Sequence, residues 1–121
     1  MIVNERVVSY INSLDRGNSD ICNIIEKEAI EDQVPIIRKE MGNLLKVLLK
    51  LKQPKSILEV GTAVGYSSIL MSENMPVDCK IVTIENYDKR IPIARNNIKR
   101  AGKEDCIQLI EGDAMEVLKE L

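Results

Sequence analysis

The strongest constraint on this chain is an alternation of two periodicities in its second part. Ser56-Ile57-Leu58-Glu59-Val60, Lys80-Ile81-Val82-Thr83-Ile84 and Cys106-Ile107-Gln108-Leu109-Ile110 are short, mostly β-branched or aliphatic runs. Each is followed at once by a glycine or an acidic residue, the signature of a buried strand reaching its end. Between and after them lie segments with helical spacing: Gly65 to Met75, Asp88 to Ala101, and 114–121 with Met115, Leu118 and Leu121 on one face. Strands that alternate with helices of this length form a parallel sheet covered by helices. Right-handed crossovers then give three parallel strands in the order 3-2-1, an α/β architecture.

The first 54 residues read differently. Val3, Val7, Val8, Ile11 and Leu14 have helical spacing over 2–14, and Arg16-Gly17-Asn18 breaks it. Asp20 caps a second helix with Ile21, Ile24, Ile25 and Ala29 on one face, and Val34-Pro35 stops it. A third helix from about Lys39 to Leu51 is apolar around much of its circumference, which predicts packing on both sides. The expectation is one domain over 1–121, with a helical section at 1–54 and a β-α-β-α-β-α unit at 55–121.

Composition removes several chemistries. There is no histidine, so no triad with a histidine base and no histidine-ligated zinc site can form. Seventeen basic residues against nineteen acidic ones leave a net charge of −2, which argues against nucleic-acid binding by bulk charge. Cys22, Cys79 and Cys106 lack the C-x-x-C spacing and read as reduced thiols. No apolar run reaches the ~18 residues of a membrane span, and Asn4, Glu5 and Arg6 interrupt any signal-peptide core. The expected location is the cytoplasm, with no membrane partner.

The chemistry centres on Glu59-Val60-Gly61-Thr62-Ala63-Val64-Gly65-Tyr66-Ser67, which leaves a strand and opens a helix. Gly61 permits the sharp exit and Gly65 a close approach to a ligand. The amides that follow favour an anion. The spacing is G-x-x-x-G, not the dinucleotide G-x-G-x-x-G. Glu85 ends the second strand, where a carboxylate can accept from both hydroxyls of a ribose, and Asp113 follows the third, where it can receive an adenine amino group. Each also has a plain structural reading, Glu85 as a solvated strand end and Asp113 as a helix cap.

These residues resemble the S-adenosylmethionine (SAM)-dependent O-methyltransferases of the catechol and caffeoyl-CoA type. Glu59 to Ser67 resembles the family's first motif, and Ile84-Glu85-Asn86 and Glu111-Gly112-Asp113-Ala114 its second and third, in the right order. Val34 to Ile37 with Gly42 to Leu45 resembles the bacterial branch, nearest the tRNA 5-hydroxyuridine methyltransferases. The resemblance implies a Rossmann-like methyltransferase fold and SAM as cofactor. It places Glu59 and the Gly61 backbone beside the methionine part, with Ser67 on its carboxylate near Gly65 and the Ile37 backbone at the same end. It places Glu85 on the ribose, Asn86 beside the adenine, and Gly112, Asp113 and Ala114 at the adenine edge. The family motif often has a further glycine where Ala63 stands.

The same resemblance implies catalytic parts that match nothing here: a fourth strand ending in a metal-binding aspartate, a lysine base and a later Asp-Asn pair. The expectation is an amino-terminal half, with catalytic groups and the ligands of a divalent metal such as Mg beyond Leu121. The expected activity is methyl transfer to 5-hydroxyuridine at the tRNA wobble position. The alternatives are a catechol-type small-molecule enzyme or a non-catalytic cofactor-binding or assembly module. Arg95 and Lys99, in the basic stretch 88–103, are the candidate tRNA contacts. Ser56–Val60, apolar on both faces and lacking a neighbour on one side, is the expected edge for self-association, such as a homodimer.

Overall fold

The computed structural model describes residues 4–121; Val3 lies outside them. Three helices come first: α1 (Glu5–Ser13), α2 (Asp20–Glu31) and α3 (Lys39–Lys52). Then strands and helices alternate as β1 (Ser56–Val60), α4 (Tyr66–Ser72), β2 (Lys80–Glu85), α5 (Ile91–Arg100), β3 (Ile107–Glu111) and α6 (Ala114–Leu118). The three strands are parallel in the order β1-β2-β3, the expected sheet read from its other edge.

Register fixes which side chains share a face. Ile57 pairs with Ile81 and Ile81 with Ile107; Glu59 pairs with Thr83 and Thr83 with Leu109. On this face α4 and α5 build the core, where Ile69, Leu70, Ala94 and Ile98 meet Ile81, Ile107 and Leu109. Each fully buried aliphatic side chain contributes about 1.5–3 kcal/mol before the entropy of ordering it. The second face is covered only in part: α6 contacts β2 and Ile84 is buried, while Leu58 and Val60 of β1 are 52% and 59% exposed. β1 is therefore apolar on its open face, but its covered face carries Glu59 beside Ile57.

Several expectations are corrected in detail. Ser19, not Asp20, caps α2: its hydroxyl accepts from the Cys22 amide at 3.2 Å, and Asp20 is the first helical residue. Several helices are shorter than their apolar spacing predicts. α1 stops at Ser13, α4 at Ser72 and α6 at Leu118, and 88–90 form a turn before α5. α3 packs on two sides and leaves a third open. Gly42 and Leu49 are buried in the interface that α3 makes with α4. Lys46 reaches the segment after α1, with Asp15 at 3.9 Å and the Gly17 carbonyl at 3.3 Å. Met41, Leu44, Leu48 and Leu51 remain exposed. The apolar circumference predicted more cover than the helix receives.

Candidate functional site

The site grows from the end of β1. The Gly61 amide donates to the Ile84 carbonyl at 2.8 Å, so the chain leaves the strand while still tied to β2. Gly61 turns at φ +94° and Gly65 at φ +87°, in the left-handed region that glycine enters without steric cost. Ala63 also lies there, at φ +49°. Its side chain costs about 1 kcal/mol in that region, and its amide is held at 2.7 Å by Glu85 Oε1. The backbone thus explains why a glycine suits this position in the family motif.

Two carboxylates organise the neighbourhood. Glu85, at the end of β2, accepts from the amides of Ala63 at 2.7 Å and of Asn86 and Tyr87 at 3.1 Å each. It joins the glycine loop to the turn after β2. Glu59 accepts hydroxyl hydrogens from Ser67, Ser68 and Thr83, the last at 2.7 Å. Thr62 and Thr83 hydroxyls are 2.6 Å apart. Asn97 of α5 donates to the Val64 carbonyl at 2.8 Å and ties the loop to the helix layer.

A cavity of about 260 Å³ opens beside these groups, lined by Pro35, Ile36, Ile37, Gly61, Thr62, Ala63, Tyr66 and Ser67. It brings together three expected residues, Ile37, Gly61 and Ser67, with Glu59 bonded behind Ser67. Gly65 caps α4 from below the loop. The third motif lies further along the sheet's carboxyl edge. The Gly112 amide donates to the Glu85 carbonyl at 2.9 Å, Asp113 caps α6 through the Met115 amide at 2.9 Å, and Ala114 begins that helix. Asn86 and Asp113 are exposed, outside the cavity. Ser67 lines the cavity, and its hydroxyl hydrogen goes to Glu59. The residues missed are Thr62, Ser68, Thr83 and Asn97. The available signal was polarity at buried positions: a threonine inside an aliphatic strand and a second serine after Ser67.

Ionisation follows burial. Tyr66 is buried and donates to Glu26 Oε2 at 2.9 Å; desolvation first, then that carboxylate, raises its phenol well above the ordinary range. Burial first, then the nearby Glu73 and Glu26 carboxylates, push the Cys22 thiol up to about 12. The three cysteines are free thiols. Among the described residues no group of three Asp, Glu or Cys side chains is placed to hold a metal ion. Arg95 is paired with Glu111 at 3.1 Å, and Arg100 with Glu28 at 2.5 Å.

A parallel sheet whose first strand ends in a glycine loop, with an acid at the end of the second, defines a nucleotide-cofactor domain of the doubly wound type. Residues 18–121 match the protein-family model described as O-methyltransferase, and the chain belongs to that family. It is 34% identical over 119 residues to a catechol O-methyltransferase of Niastella koreensis, covering 97% of this chain and 54% of the relative. Over 80 residues it is 36% identical to a caffeoyl-CoA O-methyltransferase of Stellaria longipes, covering 66% of this chain and 33% of the relative. Its fold is similar to that of a methyltransferase of Podospora anserina solved with bound SAH. There the TM-score is 0.90 and the identity 29%, over 100% of this chain and 55% of that one. The O-methyltransferase TomG of Streptomyces achromogenes, solved with SAM, gives 0.83 and 30%, over 100% and 56%. The chain spans about half the length of these relatives.

Proposed function

We propose that this chain is the donor-holding part of a SAM-dependent O-methyltransferase. The observation that carries this reading is the joining of Glu59, Ser67, Glu85 and the Gly61–Gly65 loop at one end of the sheet. Ser67 borders the cavity that fits an amino-acid end, with Glu59 hydrogen-bonded behind it and the Ile37 segment as the opposite wall. Glu85 keeps one acceptor site, on Oε1, for a ribose hydroxyl, since a carboxylate offers about four and three amides engage it. SAM, when bound, supplies an electrophilic methyl group on a sulfonium. The residues here hold and orient that donor, and orientation alone removes several kcal/mol of barrier in such bimolecular transfers. We assign no general base among the described residues.

For the acceptor we favour a catechol-type phenolic hydroxyl, on the activities for which the relatives are named. The tRNA 5-hydroxyuridine reading rests on the 34–45 segment and on the basic stretch. Of the two candidate contacts in that stretch Arg95 is engaged with Glu111, which leaves Lys99, on the exposed side of α5. The divalent metal remains an expectation from the resemblance.

Calorimetry with S-adenosylhomocysteine (SAH) tests the donor site. The wild-type chain is expected to bind, and Glu85→Ala to weaken binding by about tenfold or more, the loss of a charge-assisted hydrogen bond. A folded wild-type chain that binds no SAH at millimolar concentration overturns the reading. Supplying catechol or unmodified 5-hydroxyuridine tRNA to the complete enzyme, with labelled SAM, separates the two acceptors by which product carries the label.

A further inference from the structure

Glu59 sits at the centre of a hydroxyl cluster larger than a donor-binding carboxylate requires. Thr83 Oγ1 donates to Oε1 at 2.7 Å, Ser68 Oγ donates to the same oxygen, and Ser67 Oγ donates to Oε2. A hydroxyl has one hydrogen. Thr83 has committed its own to Glu59, so in the 2.6 Å contact between Thr62 and Thr83 the donor is Thr62. The hydrogens therefore run in one direction, Thr62 to Thr83 to Glu59, with Ser68 joining at the same oxygen. Such a chain polarises each successive bond toward the carboxylate. Ser68 and Thr83 are 0% exposed and Thr62 is 1% exposed. A buried hydroxyl left without a partner is costly, so these three have no alternative use for their hydrogens.

We infer that Thr83 and Ser68, with Thr62 behind Thr83, are positioning residues that fix Glu59 to receive a cationic amine at the amino-acid end of the ligand. This rests on the donor-site reading above. The two buried hydroxyls occupy Oε1 and pin the carboxylate's rotation. Oε2 keeps one further acceptor position, on the oxygen bonded to Ser67, which lines the cavity. Ser67, having given its hydrogen to Glu59, presents only lone pairs. Both groups at this end then accept, and the chemistry that satisfies two acceptors beside a negative charge is an ammonium. Thr83 adds a second role: through Thr62 it ties the strand to the glycine loop, so the carboxylate and the loop hold one relative position.

The test compares two ligands that share the nucleoside and the thioether and differ in the amino-acid end, SAH and 5′-methylthioadenosine. Each is titrated up to millimolar concentration into the wild-type chain, Thr83→Val, Ser68→Ala and Thr83→Ser, with folding checked by circular dichroism. Thr83→Val and Ser68→Ala are each expected to weaken SAH about tenfold and to leave methylthioadenosine within about twofold. Thr83→Ser restores the hydroxyl and is expected to keep wild-type affinity for both. Equal loss for both ligands overturns the inference, because a general structural defect does not discriminate between them. Unchanged SAH affinity in either folded variant overturns it as well. Absence of SAH binding in the wild-type chain overturns the donor-site reading itself, so the two failures are told apart.

Discussion

Single side chains carry the pH response of this fold. Tyr66 is held neutral by burial and by its bond to Glu26, and Cys22 is buried nearby on α2. Both are acids whose folded pKa lies above the unfolded value. Their contribution is complete below those unfolded values, near 9 for the thiol and 10 for the phenol, and it is lost as pH rises above them. Chemical-denaturation midpoints are therefore expected to be level through neutrality and to fall above about pH 9. Tyr66→Phe, which has no phenol to ionise, should make that alkaline fall shallower while costing about 1 kcal/mol at pH 7 for the lost hydrogen bond. Equal alkaline slopes in both proteins would show that Tyr66 does not contribute. At this scale the sequence was partly legible. Glu59, Ser67 and Glu85 stood out because they flank a glycine turn. Thr83 did not, since its one mark, a hydroxyl inside an aliphatic strand, is faint for a residue as ordinary in strands as threonine. Ser19 and Asp20 are both good capping residues, and only the backbone geometry decides between them.

At the scale of elements, the turn between β1 and α4 is the joint on which the site depends. Gly65 caps α4 at φ +87°, and a β-carbon there would stand 3.5 Å from the Ala94 carbonyl oxygen, an ordinary contact. Gly65→Ala is thus a conformational and not a steric lesion. It should cost about 1–2 kcal/mol, the penalty of an alanine in the left-handed region, read as a lower urea midpoint with an unchanged m-value. A loss above about 4 kcal/mol would mean that α5 must shift as well. The elements themselves were legible because a period of two and a period near four leave different marks on a sequence. Their ends were less so. Residues 88–90 carry no breaker strong enough to separate a turn from the first turn of a helix, and Met75, four residues after Met71, continues the helical spacing although the helix does not. The exposed third side of α3 was illegible for another reason. A hydrophobic pattern says which side chains prefer cover, and it says nothing of what provides it.

On the scale of the whole molecule, the sheet is unevenly dressed. One face carries α4 and α5, while the other has α6 near β2 and leaves Leu58 and Val60 open at the end strand β1. An end strand with unpaired backbone groups and apolar side chains is a template for pairing. The chain is expected to associate with concentration in sedimentation velocity, and Leu58→Lys, which places a charge on that edge, should return it toward a monomer. A wild-type monomer at 100-fold varied loading would refute this. Membership in the O-methyltransferase family was legible from three motifs because each sits at a strand end, where spacing along the chain translates directly into proximity in space. The acceptor was not legible, since the residues that meet it are not among those the motifs mark.

The tie between Thr62 and Thr83, together with the grip of Glu85 on Ala63, has a consequence in time as well as in geometry. A loop clamped to a strand at both of these points has its shape before anything arrives. Capture of a ligand then requires collision and no preceding rearrangement. In a stopped-flow mixing experiment the observed rate should climb linearly with SAH concentration and trace a single exponential. A plateau would reveal a slower internal step and would place the loop among the parts that move.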